Sequence, residues 1–118
     1  MANEPRGDLI NLIVESGDYS HKFDVLRQNR VALSAIKYGP AKQNFGRHNV
    51  DALKTMQLCI DKYIETHNTE YLCDAANYLM FEFMYPSFDD ARFKATDSDG
   101  SAGIHGMSVK EMEGFKCE

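Results

Sequence analysis

The chain has 118 residues, 43% of them hydrophobic and 26% charged, with 18 acidic against 13 basic residues and a net charge of −5. That length suits one compact domain, the apolar share argues against global disorder, and no apolar run approaches the ~20 residues that span a bilayer. The start, MANEPRGD, lacks a basic-then-apolar signal pattern. Cys59, Cys73 and Cys117 are odd in number and contain no CxxC pair, which argues against a secreted disulfide scaffold and a Cys-rich zinc site. The expectation is a small cytoplasmic protein without membrane contact.

Charge is unevenly spread: residues 1–20 carry −3, residues 21–62 carry +5, residues 63–84 carry −4 and residues 85–118 carry −3. An acidic total disfavours nucleic acid as a partner, because such proteins track phosphates with a basic face. The basic middle could still meet one small anion.

In chain order, Asp8 suits an N-cap for a short helix over 9–15, which Gly17 would end. Ser20 can cap a longer helix reaching about Lys37, with Val25, Leu26, Ala32, Leu33 and Ile36 as its apolar core stripe, interrupted by Asn29. Gly39-Pro40 stops it, and YGPAKQNFGRHN reads as a loop. Asn49 is the expected cap of a third helix to about Thr66, whose core face is Leu53, Met56, Ile60, Tyr63 and Ile64. A short turn through His67 and Asn68 leads to a fourth helix starting at Thr69 and stopped by Pro86, so the third and fourth form an antiparallel hairpin. The fourth is apolar nearly all round, which needs surrounding helices.

Residues 87–107 are polar and Gly-rich, and Ser108 with Glu111 makes a capping box for a short last helix near Phe115. The expectation is a single all-α domain: a helical core over 1–86, a polar loop over 87–107, and a short C-terminal helix over 108–118. Oligomerisation would complete it.

Two clusters could carry chemistry. Glu70, Asp74 and Asn77 lie at i, i+4 and i+7 on the central helix, and Asp61 and Glu65 lie four apart on the preceding one. Folded back on each other, the two helices could converge Asp61, Glu65, Glu70 and Asp74, and converged carboxylates take a hard cation such as Mg²⁺. The alternatives are solvated surface acids and, for Asp74, a structural partner in Arg27, Arg30 or a helix cap.

The second cluster is the loop holding Lys42, Arg47 and His48 among Gly39, Pro40 and Gly46, a candidate anion grip that could equally be an exposed connector. Arg92 and Lys94 could form a flap over a phosphate, and Tyr78 could stack on a base or simply pack in the core. Asp97, Asp99 and Gly100 lack the remaining ligands of a calcium loop. His21, His48, His67 and His105 have no zinc spacing, and no nucleophile motif occurs.

NTEYLCDAANYLMFEFMYP, followed by ARFKATDSDGSAG and GMSVKEME, resembles a group of small phage and prophage proteins, with KYGPAKQNF as a weaker match. That resemblance implies phage origin and the cytoplasm of an infected bacterium, without a settled activity. At greater distance the hairpin is similar to the all-α nucleotide pyrophosphohydrolases of the MazG kind. Those carry EExxE and ExxD on adjacent helices, bind Mg²⁺ and a nucleoside triphosphate, and assemble as helical dimers or tetramers. The corresponding places hold Asp61 and Glu65, then Glu70 and Asp74, each pair four apart rather than three, and the doubled glutamate is missing.

Three readings follow. The leading one is a nucleotide-binding protein that sequesters a host defence signal such as a cyclic nucleotide. The others are Mg²⁺-dependent nucleotide hydrolysis, and inhibition of a host immune protein through a helical face.

Overall fold

A computed structural model describes residues 7–96. Among these residues there are five helices and no strand: α1 (Gly7–Glu15), α2 (His21–Tyr38), α3 (Ala41–Asn44), α4 (Ala52–Thr66) and α5 (Glu70–Met84). The all-α expectation is met. The predicted Gly-rich segment from 97 onward and the last helix near Phe115 lie outside the described residues.

The helix ends follow from local chemistry. Ser20 Oγ accepts the Phe23 N–H at 3.0 Å and opens α2. At the other end Gly39, at φ 88°, donates its N–H to the Ala35 carbonyl, a left-handed backbone turn that glycine adopts without steric cost. The cap of α4 is Asp51, not Asn49: Asp51 Oδ1 accepts the Lys54 N–H at 3.0 Å, whereas the Asn49 amide donates to the Gln43 carbonyl. His67, at φ 60°, closes α4. Thr69 is already helical and makes no capping bond with its side chain; the Asn68 carboxamide oxygen accepts the Glu70 N–H instead.

The stretch expected to be a loop is partly helical. Pro40 precedes the single turn of α3, and the Phe45 N–H closes it on the Ala41 carbonyl. Gly46 follows because any Cβ there would run into the Lys42 backbone carbonyl. That tight return folds Phe45 inward, where it stacks on Phe81 with ring centroids 4.4 Å apart.

Helices α4 and α5 form the expected hairpin, and α2 lies across α5. The core is small: Phe45, Ala52 and Phe81 are buried, with Val31, Ala41, Val50, Tyr78, Met80 and Tyr85 packed round them. Cys73 and Ala75 are also buried, and their small side chains let neighbouring helices approach. Ile64, expected in the core face of α4, is exposed.

Helix α2 departs most from expectation. Its apolar stripe faces solvent: Val25 is 55% exposed, Leu33 57% and Ile36 85%. The face applied to α5 is instead the polar one, through Arg27, Arg30 and Val31. Helical periodicity found the stripe correctly; what it cannot supply is which side of the helix meets the rest of the chain.

Candidate functional site

The carboxylates do not assemble as expected. Arg30 lies between Asp74 and Glu70, with Nε 2.9 Å from Asp74 Oδ1 and the guanidinium 3.1 Å from Oδ2, a two-point fork. Glu70 Oε1 lies 3.5 Å from the same guanidinium. On α4, Asp61 accepts from Gln57 Nε2 at 3.1 Å and Glu65 pairs with Lys62 at 3.5 Å, both on exposed surface. Among the described residues no three His, Cys, Asp or Glu side chains group to hold a metal ion.

The physical reason is that Asp74 and Glu70 turn toward α2, whose Arg30 neutralises them, while Asp61 and Glu65 turn to water. The four carboxylates therefore do not form one donor set among the described residues. Of the partners considered for Asp74, Arg30 is the one it has.

A cleft of about 440 Å³ opens where α2, α3 and α5 meet. Aromatic walls come from Tyr38, Phe45, Tyr78 and Phe81, and polar groups from Arg30, Ser34, Asn44, Asp74 and Asn77. The volume falls within the ~300–1,000 Å³ of small-molecule sites, and an apolar lining with few polar groups is their usual character.

Asn77 is the distinctive member. It is only 5% exposed, and its Nδ2 donates to the Arg27 carbonyl at 2.9 Å. A carbonyl only accepts, so this bond fixes the amide orientation and leaves Oδ1 as the other atom. Oδ1 is buried and has no hydrogen-bond partner among the described residues. A buried acceptor left unmet costs about 1–3 kcal/mol, and it belongs to a residue that also lines the cleft.

Ionisation at the cleft is fixed by neighbours. The Asp74 carboxylate beside Arg30 holds the guanidinium's pKa above its ordinary value, so that group stays cationic. Burial pushes the Tyr78 hydroxyl up from 10.0, and burial does the same to the Cys73 thiol from 9.0 and to the Cys59 thiol. Near neutrality the tyrosine is a neutral donor and both cysteines are protonated, which makes nucleophilic catalysis by them unfavourable.

Of the six expected ligand-binding residues, Tyr78 alone lines this cleft. Lys42, Arg47 and His48 are exposed on and after α3; His48, at φ 55°, turns the chain toward α4. Arg92 and Lys94 are exposed beyond α5, where Arg92 donates to the Asp90 carbonyl at 3.3 Å. The basic side chains thus stand outside the cleft: Gly46 serves close backbone packing, and Phe45 rather than a cation enters the interior.

Sequence reasoning placed Asn77 on the right stripe but could not single it out, since its distinction is a missing partner. Phe45 went unnoticed within a polar, Gly-containing stretch. Comparison with family models, with curated proteins and with solved structures finds no match to this chain. No helix among the described residues is long and apolar enough to cross a membrane.

Proposed function

We propose that the protein binds a small planar ligand in the α2–α3–α5 cleft, and that the ligand is the base of a nucleotide. The observation that carries this reading is the buried, unpartnered Oδ1 of Asn77 in an aromatic-lined cleft of about 440 Å³. A nucleobase brings a flat face for Tyr78 and Phe45, and an N–H donor for the Asn77 carboxamide oxygen once the side chains that seal that atom part.

The charge of the cleft sets the ligand's orientation. Arg30 is already balanced by Asp74 and Glu70, so a phosphate gains little inside, and the base enters while the phosphate stays in water near the exposed basic residues. Lys42, which follows the cleft residue Ala41, is the nearest of these in sequence. With the carboxylates engaged by Arg30, Gln57 and Lys62, binding without turnover is favoured over hydrolysis. The phage resemblance makes cyclic and linear host signalling nucleotides the first ligands to try.

The test is incubation of the protein with a nucleotide panel, followed by ultrafiltration, heat denaturation and chromatography of both fractions. A nucleotide depleted from the filtrate and returned intact on denaturation is the expected result. Ala35→Trp, at an exposed position on the cleft wall, should abolish retention while the circular dichroism spectrum stays unchanged. If every nucleotide remains free, or if retention survives the Ala35→Trp plug, the reading fails.

A further inference from the structure

Helix α2 is the least anchored wall of the cleft. None of its residues is buried, and its half-buried ones are Asp24, Arg27, Arg30 and Val31, one aliphatic side chain beside three charged ones. Its grip on α5 is therefore mainly polar. Arg30 forks onto Asp74 and reaches Glu70, the Arg27 carbonyl accepts from Asn77, and the Arg27 guanidinium donates to the Met80 sulfur at 3.6 Å. Parting these contacts exposes little apolar surface, and water replaces each hydrogen bond that is lost.

One group gains from the parting. With α2 in place, Asn77 Oδ1 is buried without a partner, while the amide end of the same side chain is held against the α2 backbone. Withdrawal of α2 frees that carboxamide, so that water or a ligand's donor can reach the oxygen. The closed arrangement thus carries a penalty that an open one lacks.

The contacts that keep α2 helical do not involve α5. Ser20 and Gly39 cap its ends, Asp24 pairs with Arg27 one turn on, and Tyr19 donates to Asp24. The two ends are tethered unequally. At Gly39, φ 88°, the chain bends into α3, and the Asn44 amide donates to the Tyr38 carbonyl at 3.1 Å, which pins the C-terminal end. The N-terminal end follows Gly17, around which a Cβ would meet nothing within 4 Å, and α1 before it has no buried residue.

We propose that α2 is a lid on the cleft, a rigid helix that swings about Gly39 and breaks the Arg30–Asp74 fork and the Asn77–Arg27 bond together. The swing carries away the wall made by Arg30, Val31 and Ser34. It is a property of the free protein, and it stands whether or not a nucleobase is what enters.

Asn77 reports on both states, since its side-chain amide is bonded to α2 and its backbone N–H lies within α5. Hydrogen exchange of the full chain, followed by NMR in urea below the unfolding transition, separates the two. The side-chain amide should exchange faster and at a rate that urea leaves unchanged, while the backbone N–H follows global unfolding and accelerates with urea. Arg30→Gln should speed the side-chain exchange about fivefold. Spin labels locate the motion, in chains whose native cysteines are replaced by alanine. Against a reference label at Leu58→Cys on α4, labels at Val25→Cys and Ile36→Cys sit ~20 Å and ~3 Å along α2 from its pinned end, and all three positions are exposed. The Val25–Leu58 distances should be broad or double, and the Ile36–Leu58 distances narrow. Where the labelled chains fail to fold, the exchange measurement on the native chain decides. Exchange of both Asn77 groups with the same urea dependence, no response to Arg30→Gln, or equal distance spreads at Val25 and Ile36 each overturns the proposal.

Discussion

In α5 the side chains turned inward are Cys73, Ala75, Asn77 and Phe81, and the apolar ones among them are sealed by α4 and by Phe45. In α2 no residue is buried at all, and the groups it turns toward α5 include two arginines. Both helices carry apolar residues at helical spacing, so the difference does not lie in their patterns. It lies in what each meets: α5 has a short-turn neighbour that forces its face inward, while α2 is tied to α5 by Arg30, the Arg27 carbonyl and the edge of Val31. A helix held mainly by polar contacts is free to offer its apolar side elsewhere.

The sharpest way to break this contrast is to remove the ring on which the buried side depends. Phe81→Ala deletes the stack with Phe45 and the edge contact to Tyr78, and a buried Phe→Ala change costs about 3–5 kcal/mol. Urea denaturation should register that loss. Ile36→Ala, at the most exposed large aliphatic side chain, should change the stability of an isolated chain by less than about 0.5 kcal/mol. Equal losses at the two positions would erase the distinction.

Next in size is the polar tie itself. Asp74→Ala strips Arg30 of its two-point partner. The guanidinium retains Glu70 and is about one-third exposed, so water screens much of the loss, and the expected cost is about 1 kcal/mol. Asp61→Ala, whose carboxylate accepts only from exposed Gln57, should fall within about 0.5 kcal/mol of the parent. A similar cost at both sites would mean that the carboxylates act together, as the sequence spacing first suggested.

A smaller effect separates the two helix starts. Ser20→Ala should cost about 1 kcal/mol, because its hydroxyl holds the Phe23 N–H. Thr69→Ala should be close to neutral, since that side chain makes no capping bond. Thermal melts of the two variants side by side would show it.

These pairs also indicate what was legible in the sequence. Ser20, Gly39, the short turn at His67-Asn68 and Pro86 are local signals, and each marks a boundary within a residue or so of where the chain turns. Asn49 misled because Asp51, two residues on, is an equally good acceptor, and only the fold of the preceding segment decides between them. Lys42 and Arg47 drew notice for their charge, whereas the residue that matters between them is Phe45, made inward-facing by the close return at Gly46. Spacing put Asp61 with Glu65 and Glu70 with Asp74 on the correct helices. The engagement of Glu70 and Asp74 is set by Arg30, more than forty residues away from Asp74, which no local pattern encodes. Asn77 needed still more, since an unmet hydrogen bond exists only once every neighbour is in place.

The last contrast lies in pH. The groups raised on the cleft and hairpin side are Cys59, Cys73 and Tyr78, in each case chiefly by burial. On the α2 side, Asp24 is lowered by the hydrogen bond it accepts from Tyr19. A group raised in the folded state keeps its proton when the unfolded chain has lost its own, so its contribution is complete below the unfolded value and fades as pH rises through the folded one. The three raised groups have ordinary values of 9.0 for the thiols and 10.0 for the hydroxyl, so stability should hold to about pH 9 and then fall. For Asp24 the sign reverses: stability is present above its ordinary 3.8 and is lost as pH drops below it. Melting temperatures measured across the alkaline range should therefore decline less steeply in Cys73→Ala than in the parent chain, while Tyr19→Phe, which removes both a hydroxyl raised by Asp24 and the donor that lowers Asp24, should weaken the acid limb and also lessen the alkaline decline. An alkaline slope unchanged by Cys73→Ala would mean that burial at that position does not bear on folding, and the hairpin side would lose its claim to be the drier of the two.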